Sequence, residues 1–267
     1  MEKILVAMDD SEDSLLALAF GQRFASQLGV DVSIISVVPE QCEIALRHSK
    51  LQSRLSAHQR EKIALDVVAC DSAKEYLGAL ASGEDVGLCM MAHGRRPMSE
   101  MLIGSVTAGV IRRALRPVYL CGPRYNSRVH QRVDVLAVCV DGSTLSEQVL
   151  PYAATLAKRL RARLQLLQVL ETNVVRKQSE LGHADVMESA YLNALARRVE
   201  SEQTFEVDWE VLHGDPAASI VSYLADSPNT MLAMTTHGRS GLSQVVAGSV
   251  SHEVLHEACC PVAVLRP

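Results

Sequence analysis

Aromatic residues are scarce in this chain, at 4% of 267 residues with one Trp and three Phe. Its core has to be built from Ala, Val, Leu, Ile and Met, which suits parallel strands covered by helices. Basic charge is not in excess either: 26 Lys and Arg face 31 Asp and Glu, a formal net charge of −5. Binding nucleic acid through counterion release needs a broad basic surface, so no nucleic-acid partner is expected. No apolar run approaches the ~20 residues that span a bilayer. Met1-Glu2-Lys3 leads straight into the apolar Ile4–Met8, with no basic region, long apolar stretch or cleavage site. The expectation is a cytoplasmic protein without membrane association. The seven cysteines form no CxxC pair and show no His/Cys spacing for zinc. Reduced, mostly buried thiols and no metal site are expected.

What is present is a repeat. Residues 4–11 read ILVAMDDS and residues 135–143 read VLAVCVDGS, so Asp9 matches Asp141 at an offset of 132. Later, His93-Gly94-Arg95 matches His237-Gly238-Arg239, Gly104-Ser105-Val106 matches Gly248-Ser249-Val250, and Pro117-Val118 matches Pro261-Val262. These three pairs share an offset of 144, so the second copy carries twelve extra residues, placed around 171–203 and expected to lengthen one helix. Periodicity predicts strands at 4–8, 32–38, 63–69, 86–92 and 118–121, with helices at 12–28, 73–82 and 105–115. An irregular or helical stretch occupies 41–60. The second copy has strands at 134–140, 164–170, 205–211, 230–235 and 262–266. Its helices lie at 145–160, 184–201, 216–226 and 249–257. Thr144 with Glu147 and Ser72 with Glu75 have capping-box spacing, and Asp215 precedes a proline at a helix start. The polar stretch 123–131 reads as a linker, giving domains 1–122 and 132–267. Alternating strands and helices argue for an α/β fold with a parallel sheet.

In such a sheet, ligands sit at the carboxyl ends of the strands, where strand order reverses. Two features converge there in each copy. One is the acid after the first strand, Asp9 or Asp141. The other is the loop after the fourth strand, Gly94–Ser105 or Gly238–Ser249, which opens a helix. A Gly-Ser at a helix start presents backbone N–H groups and the positive end of the helix dipole, an anion site that needs no basic protein. The hydroxyls of Ser105, Ser249, Thr107 and Ser251 are expected to add donors. The acid suits ribose hydroxyls or an adenine amine. Against this stand two plainer readings: Gly104 and Gly248 serve only close helix packing, and the acids only cap the first helix. His93 and His237 have no second metal ligand at suitable spacing, and Arg95 and Arg239 are phosphate ligands or surface residues.

The second copy's Thr235-Thr-His-Gly238 to Gly248-Ser249-Val250 resembles the nucleotide loop of the universal stress protein family. Asp141-Gly142-Ser143, His213-Gly214-Asp215-Pro216 and Cys260-Pro261-Val262 resemble its other signatures. The resemblance covers nearly the whole chain. It implies an adenine nucleotide α-hydrolase-like fold: two tandem five-stranded parallel sheets in order 3-2-1-4-5, paired through their last strands. The family's ATP-binding branch carries Gly-x2-Gly-x9-Gly-[Ser/Thr]. Its last two glycines and hydroxyl map onto Gly238, Gly248 and Ser249, and onto Gly94, Gly104 and Ser105. The first glycine is Thr235 in one copy and Met91 in the other, and Met91 is expected to crowd the ribose and phosphate. The first copy also has Cys70-Asp71-Ser72 for Gly-Asp-Pro, and Pro97 within its loop. The resemblance adds Val169, with Val37 as its counterpart, as an adenine wall.

The site implied for ATP, alone or with Mg2+, is therefore Asp141, Val169, Thr235, His237, Gly238, Arg239, Gly248, Ser249, Val250 and Ser251. A weaker copy comprises Asp9, Val37, Gly94, Gly104, Ser105, Val106 and Thr107. The leading expectation is a stress-response regulator that binds an adenine nucleotide chiefly in its second domain, with intrachain pairing and a homodimer as possible assemblies. The alternative is a nucleotide-free scaffold working through protein contacts. No Walker A loop, GxGxxG or GxSxG is present, so dedicated catalysis is not expected. A phosphoacceptor receiver is excluded because no lysine follows the strand at 118–121.

Overall fold

The computed structural model describes residues 1–92, 103–171, 178–203, 205–236 and 248–267. The first copy runs β1 (Lys3–Ala7), α1 (Ser14–Leu28), β2 (Asp31–Val38), α2 (Ile44–Arg54), α3 (Ala57–Lys62), β3 (Ala64–Ala69), α4 (Ala73–Leu80), β4 (Val86–Met91), α5 (Ser105–Arg113) and β5 (Val118–Cys121). The second runs β6 (Val135–Cys139), α6 (Thr144–Glu147), α7 (Leu150–Leu160), β7 (Arg163–Leu170), α8 (Gln178–Gln203), β8 (Val207–His213), α9 (Pro216–Ala225), β9 (Thr230–Thr235), α10 (Ser249–Glu257) and β10 (Val262–Leu265).

All ten strands form one sheet, ordered β3-β2-β1-β4-β5-β10-β9-β6-β7-β8. Within each copy the order is 3-2-1-4-5 and every pairing is parallel. The two copies meet through their last strands, β5 and β10, which pair antiparallel with Val262 opposite Leu120 and Val264 opposite Val118. Closing these two edges on each other removes two rows of unpaired backbone groups. The fold and the mode of pairing are those the resemblance implied.

Side-chain alternation along the strands divides the core into two faces. On one, Ile4, Val6, Cys89 and Met91 pack with Phe20 and Phe24 of α1, Leu51 of α2 and their counterparts on α7 and α8. On the other, Leu5, Leu88 and Met90 pack with α4 and α5, and Leu232 and Met234 with α9 and α10. The few aromatics are concentrated near the seam. Phe20 stacks on Phe24 at 5.2 Å, Phe24 lies 4.8 Å from Tyr119, and Phe20 meets Tyr125 edge-on at 6.2 Å. Gln27 also clips the halves together: its amide donates to the Val133 and Leu160 carbonyls at 2.7 and 3.1 Å and accepts from the Val133 N–H at 2.8 Å.

Several local expectations change. The helix expected at 145–160 divides into α6 and α7, because Pro151 near the start of α7 has no N–H to continue the turn before it. The cap of α6 is Ser143, one residue before Thr144, and it accepts from the Ser146 N–H. Ser72 makes no capping bond, and its hydroxyl is buried without a partner. A capping box does form at Ser56 and Gln59, within the stretch read as irregular or helical, which holds α2 and starts α3. Asp215 caps α9 as expected, accepting from Ala218 N–H at 2.9 Å. Buried along α1 are Ser14, Ala17, Leu18, Phe20, Gly21, Phe24 and Ala25, with Leu15 and Ala19 half-buried. The extra residues lie in the region of α8, 26 residues long and seated by Leu192, Leu195, Ala196 and Val199. All seven cysteines are free; Cys89, Cys121 and Cys260 are buried and Cys42 is exposed. Among the described residues no helix is long and apolar enough to cross a membrane.

Candidate functional site

Strand order reverses between β1 and β4 in the first copy and between β6 and β9 in the second. The crevice at the carboxyl ends of those pairs is where an open parallel sheet receives ligands. In the second copy it is flanked by the loop after β6, carrying Asp141, and by the start of α10 after β9. Asp141 is held in a tight turn. Its Oδ1 accepts from the Ser143 N–H at 3.0 Å and from the Ser143 hydroxyl at 2.6 Å. Gly142 between them has φ 82°, a left-handed conformation that favours glycine. Asp9 repeats the turn, its Oδ1 accepting from the Ser11 N–H at 3.0 Å and from the Ser11 hydroxyl. The residue after it is Asp10 rather than glycine, and its φ is not positive.

The helices that follow start alike. α5 and α10 have glycine N-caps, Gly104 and Gly248, neither of which supplies a side-chain capping bond. The first N–H groups of an α-helix have no intrahelical acceptor, so each start offers donors outward. Ser105 and Ser249 are exposed at these starts. Gly248 N–H donates to the Thr236 carbonyl at 2.7 Å and Gly104 N–H to the Ala92 carbonyl at 2.9 Å, which anchors each helix to the end of its strand.

Thr107 and Ser251 have a different place from the one expected. Both are 3% exposed. Thr107 donates to the Met91 carbonyl at 3.0 Å, and Ser251 to the Thr236 and Gly248 carbonyls at 3.1 and 3.0 Å. Their hydroxyl protons bind the helices to the strand ends instead of facing the crevice. Met91 is also not where the family comparison put its bulk. It is 7% exposed and packs in the core with Ile4, Val6 and Phe24. Thr235, 6% exposed, shares a strand face with Met231 and Ala233 and so points to that core as well. Val37 and Val169 are half-buried at the ends of β2 and β7, against the face that carries α5 and α10. Val106 is 39% exposed and Val250 half-buried. His93, Gly94, Arg95, Pro97, His237, Gly238 and Arg239 lie outside the described residues.

Sequence reasoning missed two groups at this edge. In the second copy Glu147 of α6 accepts from the Tyr191 hydroxyl at 2.9 Å and from Arg198 at 2.6 Å, tying α8 to the loop that carries Asp141. Burial pushes the Tyr191 hydroxyl up, and the Glu147 and Asp141 charges push it further, so it stays a neutral donor. In the first copy Arg47 of α2 is buried, with its guanidinium 3.1 Å from the Ser36 hydroxyl and 4.0 Å from Asp10, which Lys50 also approaches at 3.7 Å. The detectable signal was an arginine four residues before Leu51 and eight before Leu55, on the helix face that turns inward.

Comparisons with known proteins bear on the family and the fold. The model of the universal stress protein family matches residues 1–86 and 133–266. The chain belongs to that family. Universal stress protein YxiE of Bacillus subtilis is 28% identical over 145 residues, covering 49% of this chain and 97% of its own length. A universal stress protein of Mycolicibacterium smegmatis is 24% identical across 99% of this chain and 97% of its own. The crystal structure of a universal stress protein from Archaeoglobus fulgidus superposes with a TM-score of 0.68 at 20% identity, over 99% of this chain and 98% of that one, a likeness of fold.

Proposed function

We propose that this member of the universal stress protein family is a cytoplasmic stress-response regulator that binds ATP or a related adenine nucleotide at the β6/β9 crevice of its second copy. The observation that carries the reading is the start of α10. Gly248 leaves that start without a side-chain cap, and Ser249 stands exposed on it. Backbone N–H groups, a hydroxyl and the helix dipole there suit a phosphate chain without any basic residue. Across the crevice, Ser143 holds the Asp141 carboxylate in its turn and Val169 is a half-buried apolar side chain; in this reading they take the ribose and the base. Mg2+ would accompany the phosphates as the nucleotide's own counterion.

The role is binding rather than catalysis. Hydrolysis needs a group that activates water, usually with a metal; of the carboxylates described at this edge, Asp141 is tied into its turn by Ser143 and Glu147 is engaged by Tyr191 and Arg198. Mass spectrometry of protein denatured immediately after purification tests the reading. Co-released adenine nucleotide supports it. Its absence, with no uptake on later addition of ATP, leaves the nucleotide-free scaffold acting through protein contacts.

A further inference from the structure

Across the seam, on the face that carries α5 and α10, the Ile103 N–H of the first copy donates to His252 Nε2 of the second at 3.3 Å. Ile103 immediately precedes Gly104, the N-cap of α5, and His252 lies in the first turn of α10. The bond therefore ties together the beginnings of two matching helices. The repeat does not duplicate it: the offset of 144 puts Ala108 at the place of His252, and its methyl accepts nothing. We infer that His252 is a pH-sensitive latch between the two copies, closed while its imidazole is neutral and released when it takes a proton.

The tautomer follows from the donor. A backbone N–H can only donate, so Nε2 must turn its lone pair to Ile103 and the ring proton sits on Nδ1. Protonation puts a second N–H opposite the first, and the attraction is lost. Ile103 then has no acceptor from His252, while the Gly104 N–H keeps the Ala92 carbonyl. The change therefore falls on the entry to α5 and not on the helix itself. The surroundings set where it happens. Burial and the nearby His256 lower His252 from the ordinary 6.5, and Glu253 opposes them. His256 is itself paired with Glu257 at 2.8 Å, and Glu257 also meets Arg124. On the neighbouring elements, α9 carries no charged residue, only Tyr223 bonded to Gln165. Arg113 of α5 pairs with Glu75, and Arg266 beyond β10 donates to the Arg112 carbonyl. The tie is complete above about pH 6.5 and is lost as pH falls through the lowered value.

The test is NMR of the isotope-labelled full-length protein, reading the His252 ring nitrogens and the hydrogen exchange of the Ile103 amide, corrected for its intrinsic pH dependence. In wild type the amide is expected to be protected while His252 is neutral. Its exchange should quicken roughly two- to tenfold as His252 titrates, the worth of one net hydrogen bond. His252→Ala should show the faster exchange on both sides of the transition. His252→Gln, whose side-chain carbonyl reaches the place of Nε2 without titrating, should stay protected on both. Equal protection of Ile103 in wild type and His252→Ala at neutral pH overturns the tie. Wild-type protection that survives protonation of His252, or an acid loss that His252→Gln shares, overturns the latch.

Discussion

Ser249 and Ser251 sit two residues apart on the first turn of α10, and their structural settings predict opposite phenotypes on truncation to alanine. Ser251 is buried and donates to the Thr236 and Gly248 carbonyls. The Thr236 carbonyl also receives the Gly248 N–H at 2.7 Å, so Ser251→Ala does not orphan it. The loss is then the net value of one buried hydrogen bond, about 1 kcal/mol. For a chain of this size that is a fall of roughly 2–4 °C in Tm, with ATP affinity changed less than about threefold. Ser249 is exposed. Ser249→Ala is expected to leave Tm unchanged and to remove a hydrogen bond to a charged phosphate. At about 1.5–3 kcal/mol, this raises Kd roughly ten- to a hundredfold. Differential scanning fluorimetry and equilibrium binding on both variants give the comparison. The reasoning is refuted if Ser251→Ala weakens ATP binding as much as Ser249→Ala while melting normally, because Ser251 would then be a ligand donor and not a helix tie.

Three further outcomes follow from the structure. A Cβ at Gly248 would lie 3.4 Å from the Thr236 carbonyl oxygen and 3.9 Å from Ser251 Oγ. Gly248→Ala should thus fold within about 0.5 kcal/mol of wild type yet bind ATP measurably more weakly, as its methyl holds the phosphates off the backbone. A Cβ at Gly122 would stand against the Leu255 carbonyl oxygen, well inside contact distance, at the end of β5 beside α10. Gly122→Ala should cost about 1–3 kcal/mol, read as a lower urea midpoint; an unchanged midpoint would contradict the packing at the seam. Burial lowers His130 and His252 from the ordinary 6.5. As pH falls below about 6.5 the unfolded chain binds these protons before the folded one, so stability is full above that pH and declines below it. His130→Gln should flatten part of that slope in denaturant titrations between pH 7 and 5.

The fold was legible in the sequence because the signals agreed at several levels. Apolar strands ended in acidic turns, Asp215-Pro216 marked a helix start, and the glycines, His-Gly-Arg and Pro kept one offset. Pairing of β5 with β10 came only from the family resemblance; Val118–Cys121 and Val262–Leu265 are short apolar strands that periodicity alone cannot match. The site was legible as an edge with a turn acid and a glycine helix start. It was not legible which hydroxyl faces which way, since Ser249 and Ser251 differ in direction by about half a helical turn. Met91 was misplaced for a related reason. Its position in the loop signature suggested exposure to ligand, while strand alternation puts it on the face of Cys89 and in the core. Arg47 escaped notice because one charged residue in an amphipathic helix usually reads as solvated, and only the packing of Leu51 and Leu55 turns it inward.

The central claim is that the second crevice holds an adenine nucleotide, and equilibrium dialysis of stripped wild-type protein against labelled ATP addresses it most directly. The account predicts saturable binding that excess unlabelled ATP displaces and that Ser249→Ala weakens. Uptake that fails to saturate, or that is the same in Ser249→Ala, would contradict it.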